Sequence, residues 1–128
     1  PEWARLQSVY GLQFRETKAY DPTFMYRALS DGIVDVISAF TSDGRIVEND
    51  LTVLGDPKGA LPSYDAVILL APKRAKDTRL IDALRPLVGR IPVEAMRRAN
   101  LAVDRDAGKQ TPRAAARTLC EEIRLSAC

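Results

Sequence analysis

Apolar and polar positions change period along the first part of the chain, which predicts a helix, a strand and a second helix. Residues 2–10 repeat apolar side chains at helical spacing, whereas residues 12–20 alternate as in a strand. Asp21 followed by Pro22 is a typical helix start, and Gly32 a typical stop. The apolar stripe of this second helix comprises Phe24, Met25, Ala28 and Leu29.

The middle of the chain is predicted to form short strands joined by polar turns. The segment IVDVISAF (33–40) is β-branched and mostly apolar, which is typical of a parallel strand covered on both faces. Residues 45–54 predict shorter extended pieces. A loop rich in Gly and Pro (55–63) then leads to YDAVILLAP (64–72), which predicts a buried strand.

The remainder of the chain is predicted to be helical. Helices are expected over 77–88, from Pro92 onward, and after a Thr111 cap. The order α-β-α-β-β-β followed by three helices indicates an α/β fold, with a mixed sheet flanked by helices and a C-terminal helical segment.

Composition excludes several classes of function. The chain has 128 residues, 46% of them apolar, which fits one domain, and no apolar run approaches the roughly 20 residues of a membrane helix. With no histidine and no nucleophile–base pattern, we expect no enzyme. The chain starts without Met or a signal peptide, so we expect a processed product, an expressed piece or a fragment.

The two cysteines leave two interpretations open. Cys120 and Cys128 lie eight positions apart, and two cysteines at this spacing are too few and too far apart for a zinc motif. The sequence also has no glycine-rich phosphate-binding loop that leads into a helix. We therefore expect neither a metal nor a cofactor. Either the tail bends back to form a disulfide, or Cys120 packs in a helix while Cys128 stays loose.

Charge is uneven along the chain and suggests an alternative function. Residues 1–71 carry 6 basic and 10 acidic side chains, and residues 72–128 carry 13 and 7. The arginine-rich stretch 97–117 resembles a helix-turn-helix, which would make the chain a small nucleic-acid-binding module. The acidic first half argues against that alternative, and a solvated helical face explains the arginines, so no nucleic acid is expected.

Phe40 and Tyr64 stand at the two ends of a polar connection. Ligands of open α/β sheets bind beyond the carboxyl ends of strands, where Phe40 lies, and Tyr64 follows a proline-containing loop. The two rings are therefore candidates for one ligand cleft, the alternative being that each fills the core. Asp43 either contacts a cation or, as Asp before Gly usually does, bonds its own backbone.

Three runs give the chain a family resemblance. YGLQF (10–14), ALSDGIVDVISAFTSDGRI (28–46) and DLTVLGDPKGALPSYDA (50–66) resemble the substrate-binding proteins of ABC importers for glycine betaine, carnitine and choline. The resemblance covers nearly the whole chain. It implies part of a type II periplasmic-binding-protein fold, in which residues 1–63 form mainly the second lobe and 64–128 a return strand and C-terminal helices of the first.

The resemblance also implies a ligand and its contacts. Such proteins enclose a quaternary ammonium between aromatic rings, here Phe40, where the family usually has Tyr, and Tyr64, with Thr41 and Asp43 from the adjoining turn. Each ring contributes roughly 0.5–2 kcal/mol of cation–π attraction. The implied partners are a permease and a possible second copy of the chain, the implied location is periplasmic or extracytoplasmic, and the isolated chain should bind weakly.

Overall fold

The structure, a computed structural model described here over residues 2–125, consists of helices joined by extended segments. Two single 3-10 turns lie at Pro72–Arg74 and Arg85–Leu87, and no helix within residues 2–125 is long and apolar enough to cross a membrane. The α-helices, in chain order, are α1 (Glu2–Tyr10), α2 (Pro22–Ser30), α3 (Arg45–Glu48), α4 (Thr78–Leu84), α5 (Val93–Asp104) and α6 (Pro112–Glu122).

The predicted mixed sheet is absent from residues 2–125, so the α/β assignment is wrong for this structure. The segments 33–40 and 64–71 are not helical, but neither pairs as a strand. A strand exists only when a neighbour takes up its N–H and C=O groups, and no backbone hydrogen bond of the described residues involves 35–39 or 64–70. The apolar pattern therefore predicted the extended conformation of these segments correctly, but the pairing that would make them a sheet is absent.

Side chains of the extended segments are correspondingly uncovered. Val67 is 71% exposed, Ile68 47% and Leu69 86%, and Ile33 and Val36 in the earlier segment are also exposed. Side chains on both faces of 67–69 lie open, as expected for a strand meant for burial on both sides. Nothing within residues 2–125 covers them.

Capping residues start the helices where the sequence predicts. The Asp21 carboxylate accepts from the Thr23 backbone N–H at 2.9 Å, and the Thr111 hydroxyl accepts from that of Ala114 at 3.2 Å. Such caps satisfy backbone donors that a helix leaves free at its first turn. The helix start expected at Pro92 is also confirmed, with Pro92 as the residue before α5.

Two helices differ from their predicted form. Residues 45–48, predicted as extended, form α3, because the Asp43 carboxylate accepts from the Arg45 backbone N–H at 3.0 Å and turns the chain into a helix. In α2 the buried residues are Tyr26 and Ala28, whereas Phe24 of the predicted stripe is exposed.

The buried core is small and consists largely of alanine. The main helix contacts join α5 with α6 and α3 with α5. Ala95 and Ala115 are both buried, and small side chains let helices approach closely. Cys120 lies in α6 and is disulfide-bonded, so the interpretation in which it only packs in the helix is not supported, while Cys128 lies outside the described residues. The buried apolar residues are Tyr26, Ala28, Ile46, Ala60, Ala95 and Ala115.

Gly44 sets the closest contact between α3 and α5. A Cβ atom at this position would lie 2.5 Å from the backbone N of Leu101 and 2.7 Å from its Cα. Both are backbone atoms of a helix, which cannot yield as a flexible side chain does. Gly44 has helical dihedral angles, φ −64° and ψ −27°, so a larger residue is excluded by lack of space and not by backbone strain.

We predict that Gly44→Ala lowers the free energy of unfolding by about 1–3 kcal/mol, the usual cost of overpacking. Urea denaturation followed by circular dichroism measures the change. Gly55→Ala is the matched control, because no atom lies within 4 Å of a Cβ there. A Gly44→Ala protein as stable as the Gly55→Ala protein would contradict the steric argument.

Candidate functional site

The rings of Phe40 and Tyr64 face each other on the surface. Their centroids lie 6.1 Å apart at an interplanar angle of 82°, an edge-to-face arrangement. Phe40 is 69% exposed and Tyr64 61%, so neither ring fills the core and that alternative does not hold. The structure thus brings together the two aromatic residues that the sequence selected.

Tyr64 is held in place from α1. Its hydroxyl donates a hydrogen bond to the Glu2 carboxylate. The bond to this carboxylate stabilises the protonated phenol, and with some burial it raises the pKa of Tyr64. The phenol therefore stays neutral at physiological pH.

The loop that precedes Tyr64 is also fixed to α1. The Tyr10 hydroxyl donates to Asp56 Oδ1 and accepts from the Lys58 backbone N–H at 3.0 Å. Asp56 further accepts from the backbone N–H groups of Ala60 at 2.9 Å and Leu61 at 2.7 Å. These donors, with Tyr10 foremost, lower the pKa of Asp56. The Gly- and Pro-rich loop is thus an ordered support for the tyrosine.

Phe40 is positioned by α5 through the turn that follows it. Arg97 Nε donates to the Thr41 carbonyl, and Asn100 Nδ2 donates to the Ser42 carbonyl at 2.8 Å. These two side chains lie one helical turn apart, so they reach consecutive carbonyls of the same turn. The backbone of Thr41, a predicted ligand contact, is therefore engaged in holding the turn.

Asp43 forms a bidentate ion pair with Arg45. Oδ1 accepts from Arg45 Nε at 3.0 Å and Oδ2 accepts from Nη2 at 2.7 Å. The guanidinium lowers the pKa of Asp43, and the carboxylate raises that of Arg45. Asp43 also accepts from the Arg45 backbone N–H, which is the local backbone bond expected of an Asp before Gly.

Tyr26 is a residue of this site that the sequence did not reveal. It is 4% exposed, and the Arg45 guanidinium lies over its ring, 4.1 Å from the centroid. Burial, and then the adjacent Asp43 carboxylate, raise the pKa of Tyr26 to about 12. Its buried hydroxyl has no partner in hydrogen-bonding geometry within residues 2–125. The only signal in the sequence that could have identified Tyr26 is its position in an amphipathic helix, and the apolar stripe predicted for that helix did not include it.

An open pocket of about 640 Å³ adjoins the Phe40 ring, a volume suited to a small ligand. Four carboxylates and one guanidinium line it, and Tyr64 does not. Within residues 2–125 no three His, Cys, Asp or Glu side chains are placed to hold a metal ion. The lining residues are Thr23, Phe40, Ser42, Asp43, Gly44, Arg45, Glu48, Asn100, Leu101, Asp104 and Asp106.

Comparison with known proteins finds matches along most of the chain. The family described as the substrate-binding domain of ABC-type glycine betaine transport system matches residues 1–122. The ergothioneine transport permease/ergothioneine binding protein of Helicobacter pylori (strain G27) is 29% identical over 121 residues, 94% of this chain and 22% of that protein.

A second relative is the carnitine transport binding protein of Listeria monocytogenes serotype 1/2a (strain 10403S). It is 30% identical over 96 residues, which are 74% of this chain and 31% of that protein. The chain thus spans less than a third of the length of either relative.

We predict that Asp43→Asn lowers the free energy of unfolding by about 1 kcal/mol at pH 7, the upper value for an ion pair near the surface, because the Asp43–Arg45 pair is partly buried. Because the folded pKa is depressed, the ion pair contributes fully above the ordinary value of 3.8 and is lost as pH falls through the folded pKa. The difference between variant and wild type should therefore shrink below pH 4, measured by urea denaturation at pH 7 and pH 3.

Asp82→Asn serves as the control for this prediction. Asp82 pairs with Arg85 at 3.2 Å, but both side chains are largely exposed, so the change should be within a few tenths of a kcal/mol. A difference at Asp43 that is the same at both pH values would contradict the ion-pair explanation.

Proposed function

The chain belongs to the family of substrate-binding domains of ABC-type glycine betaine transport systems, and we propose that it helps to capture a quaternary ammonium solute for an ABC importer. The family and both relatives are binding or transport proteins and not enzymes. The proposed ligands are trimethylated amines such as glycine betaine and choline, held between aromatic rings.

The exposed pair of Phe40 and Tyr64 is the observation that supports this ligand class. A quaternary ammonium has no N–H to donate, so its affinity comes from aromatic faces and nearby negative charge. Two rings 6.1 Å apart and open to solvent offer such faces to a ligand. Phe40 keeps the ring and lacks only the hydroxyl of a tyrosine.

The rest of the binding site is proposed to come from a longer polypeptide. The relatives are at least three times as long as the segment they share with this chain, and most apolar residues of 64–71 are exposed here. A second lobe would add further rings and cover these residues; a second copy of the chain is the alternative cover. The proposed partner is an importer permease, and the proposed location is extracytoplasmic.

The arginines of α5 and its C-terminal end argue against the nucleic-acid alternative. Arg98 pairs with Glu122, and Arg105 donates to the Gly108 carbonyl at 2.7 Å. Arg97 holds the turn after Phe40. Side chains committed within the chain are poorly placed to neutralise phosphates, which is the source of most nucleic-acid affinity.

We predict that Phe40→Ala and Tyr64→Ala each weaken the binding of trimethylated amines about 2- to 30-fold, the affinity equivalent of one cation–π contact. Calorimetric titration of the native polypeptide that contains this chain gives the dissociation constants. Phe24→Ala is the matched control, because Phe24 is an equally exposed ring in α2 that is not part of the pair.

Phe40→Tyr should bind these amines at least as well as the wild type, since the ring is retained. The proposal fails if the native polypeptide binds no trimethylated amine, or if Phe24→Ala weakens binding as much as the two ring substitutions.

A further inference from the structure

Negative charge lies beside the Tyr64 ring. The Glu2 carboxylate accepts a hydrogen bond from the Tyr64 hydroxyl, and Asp65 is the next residue in the chain, fixed by a 2.6 Å hydrogen bond from the Ser63 hydroxyl. Any ligand that contacts this ring therefore also meets the field of at least one carboxylate. The placement is specific, because a hydrogen bond holds the Glu2 charge at the edge of the ring.

Negative charge also dominates the pocket beside Phe40. Of its four carboxylates, those of Glu48, Asp104 and Asp106 have no ion-pair partner among the described residues. The fourth, Asp43, is neutralised by Arg45. Both rings of the pair thus stand in acidic surroundings, although they are supported by different elements.

The cations nearby are already committed to other groups. Arg45 uses Nε and Nη2 for Asp43, and its Nη1 donates to the Pro22 carbonyl at 2.9 Å. Arg97 donates through Nε to the Thr41 carbonyl and does not line the pocket. No guanidinium of the pocket wall is thus left to receive a carboxylate from a ligand.

This charge distribution discriminates between two kinds of quaternary ammonium. A trimethylammonium alcohol carries one positive charge and is attracted by the carboxylates. A betaine carries the same cation together with a carboxylate a few ångströms away, which they repel. Two unit charges 4 Å apart interact in water strongly enough to change affinity about fivefold, and less at greater distance.

We propose that the Phe40–Tyr64 pair prefers quaternary ammonium ligands of net positive charge over zwitterionic ones, and that Glu2 is a specificity-determining residue. The inference rests on the proposed function, since it assumes that the ring pair binds such ligands. It adds the charge class of the ligand and a residue on α1 that sets it.

The test uses three probes of nearly equal shape on the native polypeptide that contains this chain. Choline is a net cation, glycine betaine is a zwitterion, and 3,3-dimethyl-1-butanol is the uncharged isostere of choline. Titrations followed by the NMR signals of the aromatic rings detect even millimolar affinity. We expect choline to bind at least about threefold more tightly than glycine betaine, and both more tightly than the butanol.

Glu2→Gln isolates the charge, because glutamine keeps an oxygen that accepts from the Tyr64 hydroxyl. The preference for choline over glycine betaine should fall at least about twofold in this variant. Asp104→Asn removes a carboxylate of the pocket beside Phe40 and should also lower the preference for choline, without any change to α1. Asp82→Asn, which removes a carboxylate outside the pocket and the ring pair, should leave the preference unchanged.

The outcomes separate this inference from the proposed function. If neither charged probe binds more tightly than the uncharged isostere, the proposed function fails and the inference with it. If glycine betaine binds as tightly as choline or more tightly, or if Glu2→Gln and Asp104→Asn both leave the preference unchanged, the charge selectivity alone is overturned. A preference for glycine betaine that Arg97→Gln abolishes would assign the ligand carboxylate to Arg97 instead.

Discussion

The contact between the turn 41–44 and α5 is the constraint on which the placement of Phe40 depends. Gly44 lies against the backbone of Leu101 with no space for a Cβ. The adjacent residue of α5, Asn100, donates a hydrogen bond to the Ser42 carbonyl in the same turn. The steric contact fixes the distance between turn and helix, and the hydrogen bonds fix the register. Because Phe40 directly precedes this turn, its backbone position follows from the packing of a helix far away in sequence.

Local signals explain why most helices could be predicted from the sequence. Asp21, Asp77 and Thr111 each accept from a backbone N–H two or three residues ahead, an interaction that the sequence alone specifies. The absence of the sheet could not be predicted in the same way, because strand pairing depends on partners distant in sequence. Residues 64–70 have the composition of a strand, yet no pairing partner lies within residues 2–125.

The site shows the same division between local and distant information. Asp43 before Gly44 predicted a turn, and the positions of Phe40 and Tyr64, together with the family resemblance, selected the two rings. The contact of Arg45 with the Tyr26 ring, the hydrogen bond from Tyr64 to Glu2 and the hydrogen bond from Arg97 to the Thr41 carbonyl each join residues that lie 19 to 62 positions apart in sequence. No periodicity in the sequence encodes such contacts, since they are set by how the helices pack.

The two rings are anchored to different parts of the molecule, which makes their separation the property most open to change. Phe40 is held by α5 through the hydrogen bond from Arg97 to the following turn. Tyr64 is held by α1 through Glu2 and through the loop that Asp56 orders. The segments 35–39 and 64–70, next to the rings, have no backbone hydrogen bonds within the described part of the chain. Regions with exposed apolar side chains and few backbone hydrogen bonds are the least stable parts of a fold. A cation held between the rings would join both anchors, and its binding energy would stabilise the arrangement in which they face each other.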